Sequence, residues 1–490
     1  MTLPHPEAVF VRQDAWQLGP PAQPWDPYSL AYARAVREMQ SRPADDPTSW
    51  AFQGAIHGTR DPDPRPEFNM CQHFSWFFLP WHRMYIACFE QIVRAIAVAQ
   101  GGPADWALPF WNWSVNRALP PAFREATLPD GSPNPLRVEA RNAGIDQGAQ
   151  LPAATVAADY ALGFAGFVSP RESARGAWDT GFGGGPEEPD VHFGSTPGAL
   201  EDWPHNHLHV LIGGADGLMT DPDTAALDPI FWLHHANVDR VWEQWRGLGG
   251  TRTNPPEAEW RDQAYGFFDA GGQPVSGLVS ECLDPAALGY RYSYPLPVAT
   301  SLDATTEPGL TAAAGAPTPA REDVPVVELG AIEGVELVGG TVTAPVALSP
   351  AADDTVTLLS GSPAEAPPLH LNLEGLEMDR DPGIVWAVYL NLPGEDAASP
   401  RSGAHLVGYL SLFGVSHAGH HAGGVARTYD IRSLAKQLSD AGLWDPARLT
   451  VTFVPTGLEA PEGGELLSAA PPVAPPDRPV RIRRISLTSE

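Results

Sequence analysis

Six histidines fall into two separated groups of three, and they indicate the chemistry of this chain. The first triplet is His57, His73 and His82, and the second triplet is His205, His209 and His235. His205 and His209 are four residues apart, so on a helix their side chains lie on one face, one turn apart. Two such nitrogen-only triplets could hold a pair of facing metal ions without a carboxylate or thiolate ligand. An all-imidazole shell suits copper, zinc or nickel, and copper binds most tightly of these divalent ions.

Predicted helices carry most of these histidines. Apolar residues at helical spacing, together with start and stop signals, predict helices at residues 28–40, 81–99, 204–213 and 228–248. Pro204 suits a first helical turn, and Asp228 followed by Pro229 is a strong helix start. We expect these four helices to form a bundle with the metal site inside it. Residues 114–200 are rich in Gly, Pro and Ala and are predicted to be long surface loops.

The composition changes after this helical region. Residues 1–295 are predicted to form a mainly α domain, and residues 296–352 read as a linker rich in Pro, Ala and Thr. Residues 353–490 contain short segments typical of strands, which are TVTLLSG, LHLNLEGLEM, IVWAVYLNLP, AHLVGYLSLFG and RLTVTFVPTGL, with DRPVRIRRISL as a further candidate. The predicted fold is therefore a mainly α, four-helix-bundle domain followed by an all-β, sandwich-like C-terminal domain.

The composition also argues against several classes of partner. The chain has 490 residues, with 30 Lys and Arg against 59 Asp and Glu, so its formal net charge of −29 disfavours nucleic acid and anionic membranes. Three cysteines are too few for a disulfide scaffold and favour a reducing, cytoplasmic location. The sequence shows no secretory signal and no run of 18 apolar residues, so we expect no transmembrane helix. No feature specifies an oligomeric state.

Two longer motifs resemble a known family. The segments HFSWFFLPWHRMYIACFE and PHNHLHVLIGG…LDPIFWLHHANVDRVWEQW are similar to the two copper signatures of the tyrosinase, catechol oxidase and hemocyanin family, and the resemblance covers residues 50–295. It implies two copper ions, O2 as co-substrate and phenolic small molecules as substrates. On this resemblance the first triplet binds one copper and the second triplet binds the other. The resemblance also makes His235, rather than the adjacent His234, the ligand, with His234 pointing away into the helix packing.

The resemblance implies roles for residues beside the ligands. Cys71 would form a thioether to the ring of His73, as in fungal tyrosinases and molluscan hemocyanins, although a free cysteine is often simply a small buried residue. Glu201 and Asn206 would hold a water that takes the proton of an incoming phenol. Without the resemblance, Glu201 reads as a solvated loop acid and Asn206 as a helix-start residue.

Four further features are interpreted in the same way. Phe231 shares a helix face with His235 and is expected to cover the site as an apolar lid. Met219 falls where the family places a gate residue at the entrance. Asp239, one turn beyond His235, is placed to orient a ligand or to pair with an arginine. Arg12 and residues 290–294 resemble the elements that close the two ends of the family's central domain.

The expected function is that of a tyrosinase or polyphenol oxidase, which hydroxylates monophenols ortho and oxidises o-diphenols to o-quinones. We expect the protein to be latent until its C-terminal domain is removed by proteolysis within residues 296–350. The alternatives are a catechol oxidase or o-aminophenol oxidase without monophenolase activity, an O2 carrier of hemocyanin type, and a dizinc hydrolase, which normally wants a carboxylate bridge or an open water position. A second metal site at His417, His420 and His421 is less favoured than a turn with surface histidines.

Overall fold

The computed structural model describes two compact units. It describes residues 3, 8–168, 181–293, 326–348, 369–393, 403–418, 425–444, 449–461 and 477–489. The first unit contains the described residues of 1–169, 180–300 and 458–468, and the second contains those of 301–457 and 469–490. The chain therefore returns to the first unit at residue 458, after most of the second unit has been formed.

Helices dominate the first unit. Its longer helices are α1 (Pro27–Ser41), α2 (Trp50–His57), α3 (Phe78–Ala99), α4 (Asn206–Gly213) and α5 (Ile230–Gly247). Single helical turns lie at Ala15–Leu18, Asp159–Leu162, Pro222–Ala225 and Ala258–Arg261. The four predicted helices are confirmed as α1, α3, α4 and α5, whereas α2 was not predicted. No helix in the described part of the chain is long and apolar enough to span a membrane.

Local signals explain where these helices begin and end. The side chain of Asp26 accepts hydrogen bonds from the backbone N–H groups of Tyr28 and Ser29 at the start of α1. Asp228 Oδ1 accepts one from Ile230 N, at 3.1 Å, where α5 begins. At the end of α4, Gly214 has a φ of 64°, a conformation that favours glycine.

Four short strands complete the first unit. They are β1 (Phe10–Arg12), β2 (Ala264–Phe268), β3 (Pro274–Leu278) and β4 (Tyr290–Tyr292). Strand β1 pairs with β4 in parallel, and β2 forms an antiparallel hairpin with β3. The pairing of β1 with β4 brings the start of the chain beside residues 290–292, as the family resemblance implied.

The second unit is built from two antiparallel sheets. Its strands are β5 (Val327–Leu337), β6 (Val342–Pro345), β7 (Ala347–Leu348), β8 (Leu369–Glu377), β9 (Val385–Leu390), β10 (Leu406–Leu410), β11 (Val425–Asp430), β12 (Thr450–Thr456) and β13 (Val480–Ser489). One sheet has the order β10-β9-β12-β6 and the other the order β11-β8-β13-β5-β7. A helix, α6 (Arg432–Asp440), follows β11. The predicted fold class, a mainly α domain followed by an all-β domain, is confirmed.

The predicted linker is wrong over residues 326–348, because β5, β6 and β7 lie within it. The physical reason is that β5 pairs along its length with the C-terminal strand β13 and buries Leu329, Val335 and Leu337. Strands β8, β9, β10, β12 and β13 match five of the predicted segments. The remaining predicted strand, residues 355–361, lies outside the described residues, as do His420 and His421.

Candidate metal centre

The first triplet is assembled from two helices and a loop. His57 is the last residue of α2, His82 lies in the first turns of α3, and His73 lies in the loop between these helices. A backbone bridge to Phe193 holds the loop at His73. The ring centroids are 5.2 Å apart for His57 and His73, 5.6 Å for His57 and His82, and 5.1 Å for His73 and His82. All three rings are buried, so the structure brings these predicted ligands together.

The second triplet converges in the same way. His205 immediately precedes α4, His209 lies one turn into α4, and His235 lies in α5. The ring centroid of His205 is 4.5 Å from that of His209 and 5.0 Å from that of His235. The two triplets face each other, since the rings of His82 and His235 stack at 4.3 Å with an interplanar angle of 8°. All six predicted ligands therefore form one buried cluster.

Hydrogen bonds at Nδ1 orient four of these rings. The Nδ1 atom of each ring lies 2.8 Å or 2.9 Å from an oxygen atom. The oxygen is Pro222 O for His57 (2.9 Å), Phe78 O for His82 (2.8 Å), Met219 O for His209 (2.8 Å) and Asn206 Oδ1 for His205 (2.9 Å). An amide oxygen only accepts hydrogen bonds, so Nδ1 carries the proton and Nε2 carries the lone pair of a neutral ring. Fixing one imidazole nitrogen in this way is how proteins orient a histidine that binds metal through the other.

The electrostatics of the cluster favour neutral imidazoles. Burial lowers the pKa of His82 to about 3, and burial together with the neighbouring His82 and His205 lowers the pKa of His235 well below its usual value. Neutral histidine is the form that binds a metal ion. Among the described residues, His82 Nε2 and both ring nitrogens of His235 are buried without a hydrogen-bond partner. Orphaned lone pairs on an all-imidazole donor set fit a pair of copper ions.

His234 corrects one prediction. Its ring was expected to point away from the site, but its centroid is 5.1 Å from that of His205 and 5.0 Å from that of His209. One ring nitrogen from each of His205, His209, His234 and His235 belongs to a group whose members all lie within 4.8 Å of one another. His234 therefore lies against the second triplet, with its ring 6.3 Å from that of Trp113 on the other side.

Cys71 lies directly against the first triplet. Its Sγ atom is 3.2 Å from His73 Nδ1, and burial raises the pKa of its thiol well above the usual value. His192, which the sequence did not single out, also contacts this cysteine, because His192 Nδ1 is 2.9 Å from Cys71 O. His192 carries no recognisable spacing to the other histidines, and only the folding of the loop places it here. The thioether remains a prediction.

Glu201 and Asn206 are both buried, so the interpretation of Glu201 as a solvated loop acid is wrong. Glu201 Oε1 accepts a 2.8 Å hydrogen bond from the backbone N–H of Phe74, the residue after His73. Asn206, the first residue of α4, accepts the hydrogen bond from His205. The two residues thus link the loop of the first triplet to the start of the second.

Phe231 and Met219 both lie beside the predicted ligands. The Phe231 ring centroid is 4.3 Å from that of His235 and 4.9 Å from that of His57, so this buried ring contacts one histidine of each triplet. Met219 is fully buried, and its backbone oxygen accepts the hydrogen bond from His209. Met219 thus contacts the site through its backbone oxygen. The role of Met219 as a gate residue remains a prediction.

A buried ion network ties the two ligand-bearing helices together. Asp239, one turn after His235 in α5, accepts hydrogen bonds from Arg83, the neighbour of His82 in α3, and from Arg12 at 3.4 Å. The hydroxyl groups of Tyr290 and Tyr292 donate to the same carboxylate at 2.6 Å and 2.5 Å. Burial alone raises the pKa of Asp239, but Arg83 and Arg12, with the two tyrosine hydroxyls, hold it below its ordinary value. Asp239 therefore pairs with arginine, which is one of the two roles predicted for it.

The fold and the site define a class of protein with a buried, all-histidine cluster that could hold two metal ions in a helical unit and a C-terminal unit of antiparallel sheets. Residues 47–166 and 156–248 match the family model for the common central domain of tyrosinase, and residues 328–466 match a domain of unknown function, DUF7868. A tyrosinase of Hahella sp. (strain CCB-MM4) is 32% identical over 483 residues, which cover 91% of this chain and 95% of that protein. A chloroplastic polyphenol oxidase of Malus domestica is 28% identical over 427 residues, covering 79% of this chain and 66% of that protein.

Solved structures agree on the fold. Latent apple tyrosinase superposes with a TM-score of 0.57 at 23% identity, covering 100% of this chain and 99% of that chain. A latent aurone synthase (polyphenol oxidase) superposes with a TM-score of 0.56 at 19% identity, covering 100% of this chain and 91% of that chain. This chain belongs to the tyrosinase family, which comprises oxidoreductases with a dicopper centre that act on phenols, and the predicted family membership is confirmed.

Proposed function

We propose that this protein is a dicopper oxidase that uses O2 to hydroxylate monophenols ortho and to oxidise o-diphenols to o-quinones. The observation that carries the proposal is the convergence of two imidazole triplets whose closest rings are 4.3 Å apart. Copper bound to the two triplets would supply the reduction of O2. The protein supplies the geometry, because hydrogen bonds at Nδ1 leave Nε2 of His57, His82, His205 and His209 as the ligand nitrogen.

The surroundings of the cluster suit an oxidation that must exclude water. Phe231 presents an apolar ring to both triplets, and all six ligands are buried. A site of low polarity strengthens electrostatic interactions and limits side reactions of an activated oxygen species. Phe231 is therefore proposed to form the apolar wall against which a phenol ring packs.

Glu201 and Asn206 are proposed to accept the phenol proton through a water held between them. Two observations support this role. Both side chains are fully buried, and the hydrogen bond from Phe74 N to Glu201 fixes the carboxylate beside the loop that carries His73. Removing the proton makes the phenol a better metal ligand and a better nucleophile, which a monophenolase needs and a catechol oxidase needs less.

Oxygen uptake distinguishes this proposal from its alternatives. Copper-loaded, full-length protein is assayed with tyramine, 4-methylcatechol and an o-aminophenol, with a His205→Ala variant as the inactive control. Uptake with tyramine supports the monophenolase. Uptake with only the other two substrates supports a catechol or o-aminophenol oxidase. Reversible O2 binding without turnover of any substrate supports an oxygen carrier and overturns the enzyme proposal.

The Cys71–His73 thioether is proposed on the 3.2 Å contact between Cys71 Sγ and the His73 ring. Forming a carbon–sulfur bond removes the thiol hydrogen and one ring hydrogen, and O2 accepts the two electrons. Intact mass spectrometry of copper-loaded protein should therefore show a mass lower by two hydrogen atoms, while the metal-free protein and a Cys71→Ser variant show the unmodified mass. An unchanged mass after turnover contradicts the crosslink.

Latency is proposed from the relatives. The solved structures of latent apple tyrosinase and latent aurone synthase match this chain over its full length. Because β5 begins at Val327, an activating cut that keeps β5 to β13 in one fragment must fall before that residue, which narrows the predicted range of 296–350. Protein that has been cut there and separated from its C-terminal fragment should oxidise 4-methylcatechol faster than intact protein. Intact protein that is as active as a version ending near residue 300 contradicts latency.

A further inference from the structure

Beyond the six family ligands, we infer that His234 is a fourth ligand of the second triplet when that triplet holds a metal ion and the first triplet holds none. The inference rests on the proposed function only in assuming that the two triplets bind metal ions. With an ion in each triplet, three histidines per ion would leave a position open for O2 or phenol. The second triplet is then the site that takes up the first ion.

The distances permit a single ion to be shared. Two nitrogens on one ion lie at most ~4.2 Å apart, because each metal–nitrogen bond measures about 2.0–2.1 Å. The nitrogens contributed by His205, His209, His234 and His235 all lie within 4.8 Å of one another. Small side-chain rotations therefore bring four nitrogens onto one ion. Among the groups of candidate metal ligands found in the described residues, this group consists of four histidines, all of them buried.

His234 has nitrogens to offer. Its side chain is fully buried, and neither ring nitrogen has a hydrogen-bond partner among the described residues. A buried polar group without a partner is unfavourable, and coordination of an ion removes that cost.

A neighbouring histidine shows that a buried ring in this region need not lie on the ligand cluster. His207 is located in α4 between His205 and His209 and is also buried. Its ring packs against Trp203 at 5.3 Å, and it is not part of the four-histidine group. His207 is therefore the matched control for a role of His234 that depends on its nitrogens rather than on burial of its ring.

Four imidazoles and three imidazoles give an ion different properties. A four-coordinate shell with four protein ligands is closed, whereas three protein ligands leave a position for water or substrate. An ion alone in the second triplet would thus be held in a closed shell without an open position for O2.

Cobalt(II) is a suitable probe because the intensity of its visible absorption reports its coordination number. Metal-free, full-length protein is titrated with Co2+ alone. The first equivalent should produce the intense bands of a four-coordinate ion. His234→Phe, which keeps a ring and removes both nitrogens, should weaken binding of the first equivalent at least roughly tenfold and shift the position of those bands, because water would replace one imidazole, whereas His207→Phe should behave as wild type. Equal affinity and an equal spectrum in His234→Phe overturn the inference.

A measurement on the unaltered protein covers the case in which His234→Phe fails to fold. In wild type holding one equivalent of Co2+, each coordinated imidazole that keeps an N–H gives a paramagnetically shifted, exchangeable proton signal. Four such signals support the inference, and three overturn it. Protein that binds no metal ion overturns this inference together with the proposed function. Copper-loaded protein that oxidises phenols, with His234→Phe indistinguishable from wild type in the titration, overturns the inference alone.

Discussion

The buried carboxylate of Asp239 allows the clearest quantitative prediction. Asp239→Asn keeps the shape of the side chain and removes the charge that faces Arg83 and Arg12, both of which are fully buried. Breaking a buried ion pair by removing one partner costs about 3–5 kcal/mol. Glu243 still pairs with Arg83 and Glu90 still pairs with Arg12. These remaining acids place the expected loss of unfolding free energy near the lower limit, at about 3 kcal/mol.

This loss converts into a temperature that can be measured. An unfolding entropy of about 2.1 cal/mol/K per residue gives a unit of roughly 300 residues a shift of about 1.6 °C per kcal/mol, so Asp239→Asn should lower Tm by roughly 5 °C. The assay is tryptophan fluorescence during heating of the full chain, with and without bound metal. Glu38→Gln is the matched control, because its partner Arg42 directly follows the same helix and the pair is partly exposed, where an ion pair contributes at most about 1 kcal/mol. A shift no larger than that of Glu38→Gln refutes the reasoning.

Three further predictions concern the same unit. The pKa of Asp239 is lowered in the folded protein. The ionised carboxylate therefore stabilises the fold above its unfolded pKa of about 3.9, and this stabilisation is lost as the pH falls through the lower pKa of the folded state. The Tm difference between wild type and Asp239→Asn should accordingly shrink below about pH 4. Glu201→Gln should slow oxygen uptake with tyramine by a factor of at least about 100 while uptake with 4-methylcatechol changes less, and an equal loss for both substrates counts against the proton-acceptor role. Phe231→Ala removes a fully buried ring and should cost about 3–5 kcal/mol of unfolding free energy, which urea titration of the metal-free protein would measure; a loss below 1 kcal/mol would show that the ring is not closely packed.

Local signals in the sequence predicted most of the helices. Helices α1 and α5 begin at Asp-Pro steps whose carboxylates accept backbone hydrogen bonds, and the apolar periodicity of α3 is long enough to be distinctive. Helix α2 has only eight residues, which is too short for its periodicity to stand out. The role of His57 as a ligand therefore came from family resemblance and not from its surroundings in the sequence.

The remaining features depend on contacts between residues that are distant in the chain. The strand β5 is stabilised by pairing with β13, which lies about 150 residues later. The composition of residues 326–348 by itself does not reveal this partner, and it therefore indicated a linker. His192 reaches Cys71 only because the loop around Phe193 bridges to His73. The family resemblance implied that His234 points into the helix packing, but α4 approaches closely enough for His209 to contact the rings of both His234 and His235.

The return of the chain to the first unit at residue 458 has a consequence for any single cut before Val327. Glu459 forms a reciprocal pair of backbone hydrogen bonds with Gln150, at 3.0 Å and 2.8 Å, and its carboxylate pairs with Arg117. These contacts lie within the first unit, and they belong to the part of the chain downstream of the cut. A cut before Val327 therefore leaves the C-terminal fragment paired with the first unit through these contacts, and release of that fragment requires them to break as well. We expect cleavage and dissociation to be separable steps, the first visible on a denaturing gel and the second in gel filtration.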